Sequence, residues 1–143
     1  MAAALLIPRL TIIGVGLIGG SLALALKAAG VVGEVVGCGR GRPNLEKALQ
    51  LGIIDRYTRD PAAAVAGADL VFLATPVKTL ARVVEQCLPA LKPGAIITDG
   101  GSVKAAVVQA IEPLLPEGIS FVPGHPIAGT EQSGAEAAFA TLY

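Results

Sequence analysis

The sequence is poor in the residues that most often carry chemistry: one histidine, two cysteines and no tryptophan in 143 residues. Cys38 and Cys87 stand far apart, outside any CxxC or metal-ligand spacing. Neither a disulfide framework nor a thiolate metal site is therefore expected, and both read as buried thiols of a reducing compartment. A single His125 excludes an all-histidine metal site, and no cluster of His, Cys and carboxylates offers another, so no metal is expected. Aromatic residues make up 3% of the chain, the formal charge sums to zero and no basic run occurs. Both the electrostatic footprint and the stacking platforms of a nucleic-acid binder are thus missing. Small anions stay within reach, because backbone dipoles bind them without net charge.

Linkers, internal repeats and low-complexity tracts are missing too, so the length points to one domain spanning residues 1–143. Residues 10–26 imitate a membrane segment: they are uncharged between Arg9 and Lys27, with Gly16 and Gly20 at GxxxG spacing. Ala23-Leu24-Ala25 even resembles a signal-peptide cleavage site. Four glycines, Gly14, Gly16, Gly19 and Gly20, break the run where a strand–turn–helix needs them. We therefore expect no membrane span and no membrane partner, and a cytoplasmic location.

What is present alternates. Short apolar, β-branched segments at 9–13, 34–38, 69–74, 95–98 and 119–122 read as strands buried on both faces. Between and after them, 17–29, 43–51, 78–91, 103–111 and 133–142 read as helices, with Gly30 and Gly52 as C-terminal caps and Pro43 in a first turn. This order predicts an α/β fold: a Rossmann-type doubly wound, mostly parallel sheet with helices on both faces. The chain stops at Tyr143, a hydrophobic residue in a helical stretch, as a piece of a longer protein would.

Gly14-Val15-Gly16-Leu17-Ile18-Gly19 is a GxGxxG motif that directly follows a predicted strand and opens a predicted helix, the context that makes it a dinucleotide fingerprint. Gly14 permits the tight turn, Gly16 lets backbone approach a pyrophosphate, and Gly19 lets helix pack on strand. Backbone N–H groups around Leu17 and Ile18 then face phosphate oxygens, with a dipole contribution of about 0.3 to 1 kcal/mol. About 20 residues past the third glycine, an NAD enzyme carries Asp or Glu for the ribose 2′-hydroxyl. Here the segment reads Cys38-Gly39-Arg40-Gly41-Arg42. Gly39 leaves room for a 2′-phosphate and Arg40 and Arg42 supply guanidinium donors for it, so NADP is the expected cofactor. The alternative reading makes both arginines solvated loop residues.

Ligands of such a sheet lie beyond the carboxyl ends of its strands. The segments to inspect are Thr75-Pro76-Val77, Asp99-Gly100-Gly101-Ser102-Val103-Lys104 and Gly124-His125-Pro126-Ile127-Ala128-Gly129-Thr130-Glu131. Together with the glycine motif through Ser21, the last two resemble the prephenate dehydrogenase family, which includes arogenate and cyclohexadienyl dehydrogenases. The resemblance spans essentially the whole chain and is most specific in the His125 motif. It implies an oxidative decarboxylation in tyrosine biosynthesis: hydride leaves the hydroxyl-bearing ring carbon for the nicotinamide, the ring carboxylate departs as carbon dioxide, and the ring becomes aromatic.

By the same resemblance His125 accepts a proton or hydrogen bond from the ring hydroxyl, work that suits a neutral imidazole. Ser102 orients that hydroxyl, a role compatible with capping the helix that begins near Val103. Thr75 and Pro76 line the nicotinamide, and Gly100 and Gly101 allow close approach. Lys104 meets either substrate or a helix carboxylate. The family continues with a further strand and a helical domain that makes a homodimer and supplies an arginine to the substrate, so this chain alone is expected to bind cofactor weakly to moderately and to turn over little. Two other readings compete: a β-hydroxyacid-type dehydrogenase domain, and a stand-alone NAD(P)-sensing regulatory domain.

Overall fold

The computed structural model describes residues 5–100, 108, 109, 111–123 and 138. Six strands form one all-parallel sheet: β1 (Ile7–Ile13), β2 (Val32–Cys38), β3 (Arg56–Thr58), β4 (Leu70–Leu73), β5 (Ile96–Asp99) and β6 (Ser120–Val122), in spatial order β3-β2-β1-β4-β5-β6. The helices are α1 (Leu17–Ala28), α2 (Arg42–Gln50), α3 (Pro61–Val65) and α4 (Val77–Cys87). From β1 the chain builds outward to β3, then returns to β4 on the other side of β1. That reversal creates a crevice at the carboxyl ends of β1 and β4.

Alternation along each strand sorts its side chains onto two cores. Leu10 and Ile12 of β1, Val35 of β2 and Phe72 of β4 pack with Ala23, Leu45 and Ala48 of α1 and α2. Ile13, Val36, Cys38, Val71 and Leu73 face the other way, onto Ala64 and Val65 of α3 and Leu80 and Val84 of α4. Both faces are buried, which explains why these strands read as continuous apolar runs. Thr11, the one polar side chain in the middle of β1, is buried and donates its hydroxyl to the Ala64 carbonyl at 2.6 Å, tying α3 beneath the sheet. Such a bond contributes about 1 kcal/mol net and would be costly to leave unmade.

Charges pin the ends where the cores stop. Asp69, just before β4, accepts a hydrogen bond from the Arg9 backbone N–H at 2.9 Å and pairs with Lys92. The Lys92 ammonium, above all through its hydrogen bond, holds this carboxyl below its ordinary pKa. The uncharged run 10–26 resolves into the end of β1, a turn and α1. Among the described residues no helix is long and apolar enough to cross a membrane.

Several boundaries differ from the sequence reading. Strand β1 starts at Ile7, through Pro8, because β4 reaches only from Leu10 onward and Pro8 therefore has a neighbour on one side alone. Strand β2 starts at Val32 and includes Gly33, where a Cβ would stand 2.4 Å from the Pro8 carbonyl oxygen. Helix α4 ends at Cys87 rather than Leu91: Pro89 cannot continue an α-helix, and Leu88–Ala90 tighten into a 3₁₀ turn. Strand β3 and helix α3 were not anticipated. Most of the expected helices 103–111 and 133–142 lies outside the described residues.

Candidate functional site: a cavity at the carboxyl edge of the sheet

Gly14 shapes the crevice. Its φ is +98°, and a Cβ placed on it would stand 2.7 Å from the Ala74 carbonyl oxygen. Glycine thus lets the turn after β1 lie directly against the segment after β4, which is joined to β1 by Ala74 N–H donating to the Ile13 carbonyl at 2.7 Å. Gly16 is the N-cap of α1, without a side-chain capping bond, and α1 carries no acid in its first turn. The helix start therefore presents a positive dipole end with no competing carboxylate from its own sequence. Gly19 has no room for a Cβ either, which would meet the Gly14 carbonyl at 2.6 Å and Ile12 at 2.7 Å. Leu17 is buried and Ile18 half-buried in this first turn. Asn44 of α2 donates its side-chain amide to the Val15 carbonyl at 2.6 Å and so holds the glycine turn from outside.

Beside this turn opens a cavity of about 500 Å³. Gly14 forms its inner wall, with Thr75 and Pro76 from the segment after β4. Gly39 and Arg40, after β2, form a second wall. Arg59 enters from the β3–α3 connection, Pro61 from the start of α3, and Arg82 from one face of α4. The Thr75 hydroxyl oxygen is buried and has no hydrogen-bond partner among the described residues. A buried hydroxyl without a partner is costly, and here a polar ligand in the cavity would satisfy it. Cys38 also borders the cavity, and burial first, then the nearby Asp60 carboxylate, pushes its thiol up to about 11, which keeps it uncharged.

Of the residues singled out in the sequence, Gly14, Gly39, Arg40, Thr75 and Pro76 thus meet around one cavity. Gly16, Leu17, Ile18 and Gly19 stand in the adjoining turn and helix start. Gly100 follows β5, its N–H donating to the Leu73 carbonyl at 3.0 Å, and a Cβ there would press on Ile18 and Phe72 at 3.1 Å. Arg42 is not in the cavity wall: it opens α2 and pairs with Glu46 at 3.7 Å on the surface. Gly101, Ser102, Lys104 and His125 lie outside the described residues. Sequence reasoning missed Asn44, Arg59 and Arg82. The spacing Thr79, Arg82, Val83, Gln86 puts one helix face toward the cavity, and that periodicity was the available signal.

A parallel sheet in this order, with a glycine turn at its switch point and a cavity over its carboxyl edge, defines a dinucleotide-binding Rossmann domain. Residues 22–143 match the family model described as the nucleotide-binding domain of prephenate dehydrogenase, and the chain belongs to that family. The match begins after the glycine motif, so membership does not depend on it. The chain is 42% identical over 135 residues to cyclohexadienyl dehydrogenase of Zymomonas mobilis, covering 94% of this chain and 46% of that protein. Its fold is similar to prephenate dehydrogenase of Aquifex aeolicus, solved with hydroxyphenyl propionate and NAD+: TM-score 0.89, 38% identity, 99% of this chain and 49% of that one. Arogenate dehydrogenase of Synechocystis follows with TM-score 0.78, 30% identity, 94% of this chain and 46% of that one. The chain therefore spans about half the length of these relatives.

Proposed function

We propose that this chain is the cofactor-binding part of an NADP-dependent dehydrogenase that oxidatively decarboxylates prephenate or arogenate in tyrosine biosynthesis. The observation that carries the cofactor reading is Gly39-Arg40 in the wall of the cavity, where an NAD enzyme would place an acid. A Cβ on Gly39 would meet only Leu45, at 3.5 Å or more, so the space beside it is open rather than filled by protein. The NAD+ in the Aquifex aeolicus structure marks the cofactor kind for that enzyme, and the residue after β2 sets the choice at the 2′ position here.

When bound, NADP supplies a nicotinamide that takes up the hydride. The chain's own residues do the rest. Gly14, Gly16 and the start of α1 at Leu17, Ile18 and Gly19 receive the pyrophosphate, and Arg40 pairs with the 2′-phosphate. Thr75 and Pro76, with Gly100 and Gly101, line the nicotinamide, and the Thr75 hydroxyl gains the partner it lacks. His125 takes the proton of the ring hydroxyl and Ser102 orients it, both assigned by their motifs. An arginine of the helical domain receives the substrate carboxylate, and the full-length protein is a cytoplasmic homodimer with neither nucleic-acid nor membrane partners.

Steady-state rates of the full-length protein with prephenate and arogenate, each with NADP and NAD, test this reading. Reduced nicotinamide should accumulate with at least one of the two ring acids, with kcat/KM for NADP above that for NAD by roughly tenfold or more, the worth of one charge-assisted phosphate contact. Turnover of neither acid would remove the substrate assignment, and equal use of NAD would remove the cofactor assignment.

A further inference from the structure

The six arginines of the chain divide into two sets. Arg9 and Arg56 pair with Glu34, at 2.9 and 3.3 Å, and Arg42 pairs with Glu46. Arg40, Arg59 and Arg82 have no carboxylate within ion-pair distance among the described residues, and all three border the same cavity. We propose that Arg59 and Arg82 are specificity-determining residues that join Arg40 in holding the 2′-phosphate of the cofactor. This inference rests on the NADP reading and deepens it.

Register explains how Arg59 arrives. Strand β3 pairs in parallel with β2, with Cys38 opposite Thr58, so the next residues, Gly39 and Arg59, leave the sheet side by side. Adjacent strands are about 4.8 Å apart. Arg59 therefore stands at the neighbouring strand's end, beside the position where Gly39 provides space. Arg82 comes from α4, on the face that also turns Thr79, Val83 and Gln86 to the cavity.

All three arginines are exposed and border one cavity, so a ligand entering it can reach them. Among the described residues they lack the glutamate that each of the chain's other arginines has. A phosphate monoester, with a charge of about −1.5 to −2 near pH 7, would supply that counter-charge, and guanidinium forks match phosphate oxygens. NAD has only a hydroxyl at that position and gains little from the same residues.

Calorimetric titration of the full-length protein with NADP, NAD, adenosine 2′,5′-bisphosphate and AMP tests the assignment, using Arg59→Gln, Arg82→Gln and, as a paired-arginine control, Arg56→Gln. We expect Arg59→Gln and Arg82→Gln each to weaken NADP and the bisphosphate by about 10- to 100-fold while NAD and AMP stay within about twofold, and Arg56→Gln to change none of them. If the wild type prefers NADP but both variants keep that preference, the inference is overturned and the NADP reading stands. If the wild type binds NAD as tightly as NADP, the NADP reading falls and the inference falls with it. Should a glutamine variant also lose NAD, salt dependence decides. An NADP-over-NAD ratio that falls less steeply with salt in Arg59→Gln and Arg82→Gln than in the wild type supports the assignment, and an unchanged slope overturns it.

Discussion

Replacing Gly14 by alanine tests whether the crevice is set by backbone contact rather than by glycine as a generic flexible residue. The native φ of +98° costs an L-residue about 1–2 kcal/mol. The new Cβ would stand 2.7 and 2.8 Å from the carbonyl oxygen and carbon of Ala74, so that backbone must move. Its movement strains the 2.7 Å bond from Ala74 N–H to the Ile13 carbonyl, worth about another 1 kcal/mol. The sum, about 2–3 kcal/mol, corresponds to a melting temperature lower by roughly 6–12 °C for a domain of this size. Gly30→Ala is the matched comparison: φ there is +71°, but nothing lies within 4 Å of the added Cβ, so only the conformational part remains. Thermal melts of both variants, with cofactor titrations, read the difference. If Gly14→Ala melts no lower than Gly30→Ala and binds cofactor like the wild type, the close approach of the two segments is not what shapes the site.

Gly39→Asp should convert cofactor preference toward NAD: a Cβ fits at ordinary contact with Leu45, and the carboxylate would accept from a ribose hydroxyl while repelling a 2′-phosphate, a reversal readable in the two dissociation constants. Cys38 and Cys87, raised to about 11 and 12 mainly by burial, should resist alkylation at pH 8 until the protein unfolds. Because their folded pKa values exceed the unfolded one near 9, they add stability that is complete below pH 9 and is lost as pH rises toward 11–12, and denaturant midpoints should fall over that interval; rapid labelling of the native protein would contradict the burial. His125→Ala in the full-length protein should lower kcat by about 10²- to 10⁴-fold with little change in NADP affinity, and a kcat near wild type would remove its proton-transfer role.

Most of the sheet was legible because β1, β2 and β4 are buried on both faces and helices α1, α2 and α4 are flanked by glycine or proline. Strand β3 was not, since it has three residues, pairs on one side only and carries Arg56 and Tyr57 partly in solvent. Helix α3 was not either: five residues are too few to show a period, although Asp60 accepting from the Ala62 N–H and Pro61 in the first turn are a start signal present in the sequence. The same gap hid Arg59, whose place depends on the β2–β3 register. Arg42 illustrates the converse. Proximity in sequence to Arg40 made it a phosphate candidate, but the start of α2 turns it toward Glu46, four residues on, and away from the cavity.

The strand order also separates two kinds of work. Every residue bordering the cavity comes from β1 to β4, the segments that follow them, or α3 and α4, so the proposed 2′-phosphate contacts lie on one half of the sheet. The motif residues assigned to the ring hydroxyl follow β5 and β6, on the other half. Gly100 sits at the seam, its N–H on the Leu73 carbonyl and an added Cβ falling 3.1 Å from Ile18 and Phe72, so the start of α1 and the β5 segment are neighbours. Substitutions among Gly39, Arg40, Arg59 and Arg82 should then act on cofactor affinity and leave the chemical step largely intact, because binding energy at a remote group is common to ground and transition states. A substitution at Gly100 should disturb both, since a Cβ there would press at 3.1 Å on Ile18, in the first turn of α1, and the residue precedes the motif that carries Ser102.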